Sequence, residues 1–299
     1  MESLRDIKRQ IKAINSTKQM MLTMKIVSSA RIRKAQNQML DGRPFSQKMA
    51  VMIDNMRKDI LDPNGPIRNS HFYRFFDNSV ADKNKVALLL ITGDKGLCGA
   101  FNAITIRESL KWIKENYDKE KFIFVVGKKG ADFLRRLHIP KLNICAEITN
   151  IFPHVSYIHA KIILENFVKL LTEHDVYKFD LIYNDFKSLA SQRLVSKTFL
   201  PFSFDEIKGE QDLSGFTFEP NMYSLFETLL PRYVATNIYR FLLESQAAEL
   251  AARMNAMEAA SKNAGDIADA LSVKLNKVRQ EGITNELTEI VSGANALSN

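Results

Sequence analysis

Two stretches of this sequence carry helical periodicity for far longer than a globular core can use. The first runs from about Glu2 to Lys58 with Pro44 as its only proline; the second runs from about Asn221 onward, with Pro231 near its start. Helices in globular proteins average about 11 residues. One of about 55 residues would span roughly 80 Å, and it must bury an apolar stripe against a partner along that length. The nearest candidate for each run is the other, folded back as an antiparallel two-stranded coiled coil. The expected architecture is a shaft carrying a globular foot built from the residues in between.

The heptad spacing locates the seam. Leu4, Ile7, Ile11, Ile14, Lys18, Met21 and Lys25 alternate three- and four-residue steps, apolar at first and then mixed with lysine at two core-type positions. Met24, Val27, Ile32, Ala35 and Met39 continue the apolar content in a drifting phase. In the second run Met254, Met257, Ser261, Ala264, Ala268, Leu271, Leu275 and Val278 hold heptad spacing, and Ile283, Leu287, Ile290, Ala294 and Leu297 resume it one residue out of phase near Gly282. If pairing starts at the beginning of the first run, position i faces about 277 − i. Met24 is then expected near Arg253, and residues beyond Lys277 have no partner within the chain.

Charge is unevenly distributed. The formal net charge is +8, and residues 7–40 contain no Asp or Glu while holding Lys8, Arg9, Lys12, Lys18, Lys25, Arg31, Arg33 and Lys34. A track of one sign implies an acidic partner, whether nucleic acid, anionic lipid or an acidic protein surface. The longest uninterrupted apolar stretch, Val86–Ile91, is far too short to span a bilayer. The first residues enter helical periodicity at once, so no targeting segment is expected. Two cysteines, Cys98 and Cys145, match no metal spacing and imply a reducing compartment.

Between the long runs the period changes. Val86–Thr92, Phe122–Gly127, Leu142–Ile148, Phe179–Asn184 and Leu194–Leu200 are expected strands, rich in β-branched and aromatic residues. Helical patterns fall at about Ala103–Tyr117, Lys129–Leu137 and Val155–His174. Such alternation predicts an α/β fold with a mostly parallel sheet. The expected organisation is a coiled-coil helix over 1–60, a connecting loop over 61–84, a Rossmann-like domain over 85–202, a lightly acidic linker over 203–220 and a second coiled-coil helix over 221–299.

The segment ITGDKGLCGAFN at 91–102 follows the first strand, where doubly wound folds bind phosphate. It fails as a phosphate loop. After Gly99 come Ala100 and Phe101 where a Walker sequence needs Lys and Ser or Thr, and the dinucleotide fingerprint lacks its first glycine. The histidines (His71, His138, His154, His159 and His174) show no ligand spacing. No catalytic, cofactor or metal site is expected.

Three blocks carry a family resemblance: LRDIKRQIKAINSTKQMMLTMKIVSSARIRKAQ near the start, ITGDKGLCGAFN after the first strand, and SQAAELAARMNAMEAASKNAGDIADALSVKLNKVRQEGITNELTEIVSGANAL in the tail. Together they resemble the gamma subunits of F-type ATP synthases. The resemblance implies a non-catalytic central rotor whose terminal helices lie inside a hexameric ring of alternating alpha and beta subunits. It implies a Rossmann-like foot that binds no nucleotide and meets the epsilon subunit and the membrane c-ring. Proton flow would turn that ring and the shaft with it, driving the beta sites through different conformations. An asymmetric shaft cannot touch identical sites equally, and unequal contact free energy is what biases them toward different states.

The family's beta-contact positions map by motif onto Met24 in LTMKIV, Glu249 and Arg253 in AAELAARM, Arg279 and Gln280 in KVRQ, and Thr284 in the adjoining ITNEL. The sleeve would cover Ile283, Leu287, Ile290 and Leu297, and the basic track would face acidic loops of beta. Cys98 and Cys145 do not correspond to the regulatory pair of chloroplast members, which implies a bacterial-type subunit. It would lie peripherally on the cytoplasmic face of the inner membrane, touching the membrane only through partners. The residues alone leave two other classes open. A basic coiled-coil adaptor for nucleic acid explains the first helix and leaves the apolar tail unexplained. A nucleotide-dependent enzyme needs the missing phosphate-binding residues.

Overall fold

The computed structural model describes residues 3–62, 64–79, 81–203 and 221–297; all of the expected linker over 203–220 except Ser203 lies outside the described residues. Two long helices are present, α1 (Leu4–Asn55) and α6 (Met222–Leu297). Both begin on side-chain caps. Ser3 Oγ accepts from the Asp6 N–H at 3.2 Å, and Asn221 Oδ1 accepts from the Ser224 N–H at 2.8 Å, satisfying donors that the first helical turn leaves free. α1 ends at Asn55, before the expected Lys58, and a short helix α2 (Arg57–Leu61) follows. Met56 and Ile60 are both fully buried, so the break turns two apolar side chains into the core. The expected loop over 61–84 holds two 3-10 turns, Pro66–Asn69 and His71–Phe75.

The chain divides into two compact units, Met1–Ser28 with Arg253–Asn299, and Ser29–Ala252. The first is an antiparallel helix pair. Lys25 Nζ lies 2.7 Å from Glu258 Oε1, and Lys18 Nζ lies 3.1 Å from where a Cβ on Gly265 would sit. Numbers rise along one helix as they fall along the other, which fixes the direction. The seam is the one the heptads predict. Ile7 is buried, and Ile11, Ile14, Lys18, Met21 and Lys25 are half-buried; opposite them Met257, Ser261, Ala264 and Ala268 are buried, and Met254, Leu271, Leu275 and Val278 are half-buried. The small residues of α6 leave room for the two lysine stems to lie in the seam with their ammonium groups at its edge.

The side-chain contacts lie close to the expected register. Both lysine contacts join positions that sum to 283 (25 + 258 and 18 + 265), against the 277 expected of backbone positions. Helical side chains lean toward the N-terminus of their own helix, which in an antiparallel pair raises the sum for contacts made by long side chains.

The second unit is built on a five-stranded sheet in the order β3-β2-β1-β4-β5. Its strands are β1 (Asp82–Ile91), β2 (Glu120–Val126), β3 (Leu142–Ile148), β4 (Val176–Phe186) and β5 (Gln192–Leu200). All neighbours pair in parallel except β4 with β5. The intervening helices are α3 (Phe101–Glu115), α4 (Lys128–Leu134) and α5 (Tyr157–Glu173). Strand alternation sends side chains to two cores. Val86, Leu88 and Leu90 join Ile123, Val125 and Ile182 under Trp112 and Ile113 of α3 and Ala131 and Leu134 of α4. Ala87, Leu89 and Ile91 join Phe124, Phe179 and Phe199 in a larger core with α5, Met49 and Ile53 of α1, and Phe226, Ile238 and Phe241 of α6. The long helices are therefore structural members of this unit as well.

One polar tie between α6 and the sheet is partly buried. Tyr183 of β4 donates to Glu244 Oε2 at 2.8 Å. Burial pushes the Glu244 carboxyl above the ordinary glutamate range, against the opposing pull of Arg240 and the Tyr183 hydroxyl. A carboxyl whose folded pKa is raised penalises the fold once it ionises, and the penalty is absent below the unfolded pKa. Glu244→Gln keeps the acceptor and removes the charge. Its melting temperature relative to the unaltered chain is therefore expected to climb as pH rises from about 4.5 toward neutrality; a difference independent of pH would contradict this.

A second expectation comes from the β2–α4 turn. Gly127 has φ +95°, and a Cβ there would sit 2.1 Å from the Thr92 carbonyl oxygen. Gly127→Ala is expected to cost about 3 kcal/mol. At Gly96, where a Cβ would meet nothing nearer than Lys129 Cε at 3.9 Å, alanine is expected to change stability by less than about 0.5 kcal/mol. Equal denaturation midpoints for the two variants would refute the distinction.

Candidate interaction surfaces

The turn after β1 occupies the place where a doubly wound sheet holds phosphate, and here it is filled from within. Cys98 and Phe101 pack against Ala248 of α6, with Phe186 at the end of β4 and Ala252 closing the cluster. Gly93 donates its N–H to Asn102 Oδ1 at 2.8 Å. A Cβ on Gly93 would lie 3.3 Å from Glu249 Cγ. Glu249 and Asp94 are both buried, so a phosphate entering the crevice would meet apolar side chains and two acids. Gly93 allows close packing of α6 against this turn. Thr92 completes the turn: its hydroxyl donates to the Val126 carbonyl at 3.0 Å and accepts the Gly130 N–H at 2.9 Å.

Of the residues singled out for contact with beta, Met24 is 37% exposed, Arg253 is half-buried, and Arg279, Gln280 and Thr284 are exposed. Thr284 Oγ donates to the Gln280 carbonyl at 2.9 Å. Glu249 differs from these: it lies inside the second unit against Gly93. In the tail, Ile283, Leu287 and Ile290 are 52%, 57% and 67% exposed; their spacing sets them on one helix face, with Gln280 at its head. Leu297 is helical in backbone, and its side chain lies outside the described residues.

The basic track separates into two groups. Lys18 and Lys25 belong to the seam, whereas Lys8, Arg9, Lys12, Arg31, Arg33 and Lys34 are exposed. Arg9 reaches Asp6 at 3.6 Å. Among the described residues no group of His, Cys, Asp or Glu could hold a metal ion, and no helix is long and apolar enough to cross a membrane. Sequence reasoning passed over Asp94 and Gln246. Asp94 lies within the ITGDKG block and was weighed only as part of a phosphate loop; Gln246 resembles any other polar residue of a long helix.

The comparisons agree with this geometry. The family model described as ATP synthase matches residues 3–297. The ATP synthase gamma chain of Elusimicrobium minutum is 50% identical over 302 residues, covering 100% of both chains. That of Pelotomaculum thermopropionicum is 36% identical over 297 residues, covering 99% of this chain and 100% of its own. Among solved structures, a chain from the central stalk and c-ring of Tetrahymena thermophila mitochondrial ATP synthase matches with a TM-score of 0.57 and 25% identity, over 81% of this chain and 99% of that one. A chain of Euglena gracilis mitochondrial ATP synthase shares the fold, with a TM-score of 0.66 and 20% identity over 98% and 94%. The chain belongs to the ATP synthase gamma-chain family.

Proposed function

We propose that this chain is the non-catalytic rotor of a proton-translocating F-type ATP synthase, coupling rotation of a c-ring to conformational change at beta-subunit catalytic sites. The observation that carries the reading is the tail of α6. The last half-buried heptad side chain is Val278, and among the described residues beyond it only Gly282 is less than exposed. The helix continues to Leu297, roughly 30 Å at 1.5 Å per residue, with Ile283, Leu287 and Ile290 exposed on one face. A helix bearing an uncovered apolar stripe needs a partner surface, and a sleeve of alpha and beta subunits supplies one. The exposed part of the basic track fits acidic loops of that sleeve. Epsilon and the c-ring complete the partner set, and the chain meets the membrane only through them, on the cytoplasmic face. The packed crevice after β1 supports a chain that itself binds no nucleotide.

Within this reading Met24, Arg253, Arg279, Gln280 and Thr284 meet beta directly, and Glu249 contributes from inside by seating α6 against Gly93. Arg253 and Gln280 act as hydrogen-bonding latches to one beta subunit at a time, the guanidinium being suited to bidentate capture of a carboxylate. In assembled complexes, Arg253→Ala and Gln280→Ala are expected to lower steady-state ATP hydrolysis and ATP-driven proton pumping together, by about tenfold for Arg253. The isolated variants should melt within about 2 °C of the parent. Normal turnover and pumping by both complexes would remove the latch role. Failure of a tagged chain to bring down alpha, beta and epsilon in fixed stoichiometry would remove the rotor reading itself.

A further inference from the structure

Asp94 has no part in the contacts just described, yet its carboxyl group accepts three backbone N–H groups. It is buried in the turn that follows β1, the central strand of the sheet. Its Oδ1 accepts the N–H of Lys128 at 2.9 Å and of Asn150 at 2.8 Å, and its Oδ2 accepts the N–H of Phe152 at 3.0 Å. The donors come from the turn after β2 and the loop after β3, and Asp94 itself belongs to the turn after β1. One side chain therefore ties together three crossover connections.

The ends of this tie also hold α6. Gln246 donates to the Pro153 carbonyl at 2.6 Å, next to Phe152. Glu249, on the same helix, lies against Gly93, next to Asp94. The path from Gln246 through Pro153, Phe152, Asp94 and Gly93 to Glu249 closes on the helix where it began.

We propose that Asp94 is the tie that joins three crossover connections of the sheet, and that its carboxylate is the resident occupant of an oxyanion pocket formed by the backbone N–H groups of Lys128, Asn150 and Phe152. Three convergent donors around one acidic group are the chemistry that recognises an inorganic oxyanion. Removal of the carboxylate leaves three partly buried donors without their acceptor, which is unfavourable, and phosphate or sulfate from solution can take its place. The proposal concerns the chain alone and stands or falls independently of the rotor role.

The test uses the full chain with Asp94→Ala and Asp94→Asn, melted in phosphate and in chloride at matched ionic strength. Alanine opens the pocket; asparagine fills it but turns an amide donor toward one of the N–H groups. Both variants are expected to melt about 5–10 °C lower in chloride. Phosphate should restore at least half of the loss for Asp94→Ala, saturably, and little for Asp94→Asn or the parent. Amide exchange at Asn150 and Phe152 should quicken in Asp94→Ala and slow again with phosphate. Should Asp94→Ala fail to fold in chloride, recovery of the folded circular dichroism spectrum on refolding in phosphate gives the same reading. Asp94→Ala that responds to phosphate no more than the parent, in melting, exchange or refolding, would overturn the proposal.

Discussion

The close antiparallel pairing of α1 with α6 is the constraint on which the rest of this structure depends. In the first unit no sheet covers the helices, so each must bury its stripe against the other or leave it in water. Buried Ser261, Ala264 and Ala268, with Gly265, line α6 where Lys18 and Lys25 enter the seam from α1. Small side chains on one helix admit long ones from the other. The lysines are weak contributors to stability, since the Lys25–Glu258 pair is well exposed and worth under about 1 kcal/mol. Their value is positional, because a polar residue in a heptad seam selects one register over its neighbours.

In the second unit the same two helices behave as core elements. Met49 and Ile53 of α1 and Phe226, Ile238 and Phe241 of α6 share one core with the sheet. The sequence of α6 changes accordingly, from aromatic and branched residues between Phe226 and Leu243 to alanine and serine beyond Ala247. Burial changes with it. α6 is buried at nearly every position from Tyr233 to Ala251, and along only one stripe further on.

How much of this was legible follows from the range of the interactions involved. The five strands, their intervening helices and both heptad seams were readable because each depends on local periodicity. The register is less local, since it depends on how two distant seams fit, and the sequence supplies it only through an assumption about where pairing starts. Lys121 shows the same limit. Its strand position gives no sign that the side chain is fully buried, with Nζ donating to the carbonyls of Asn116, Tyr117 and Lys119 at the end of α3. Glu249 was assigned to an outer surface by motif, but the structure packs it against Gly93. Asp94 could be found only after three loops, far apart in sequence, were seen to converge on it.

The central claim is that the tail of α6 turns inside a sleeve of partner subunits. The most direct measurement is a reversible covalent tether. Gln280→Cys, joined by a disulfide to a single cysteine on the facing beta subunit of an assembled complex, should stop ATP hydrolysis and proton pumping in proportion to the fraction tethered, and reduction should restore both. Full turnover by a quantitatively tethered complex would contradict the rotor account.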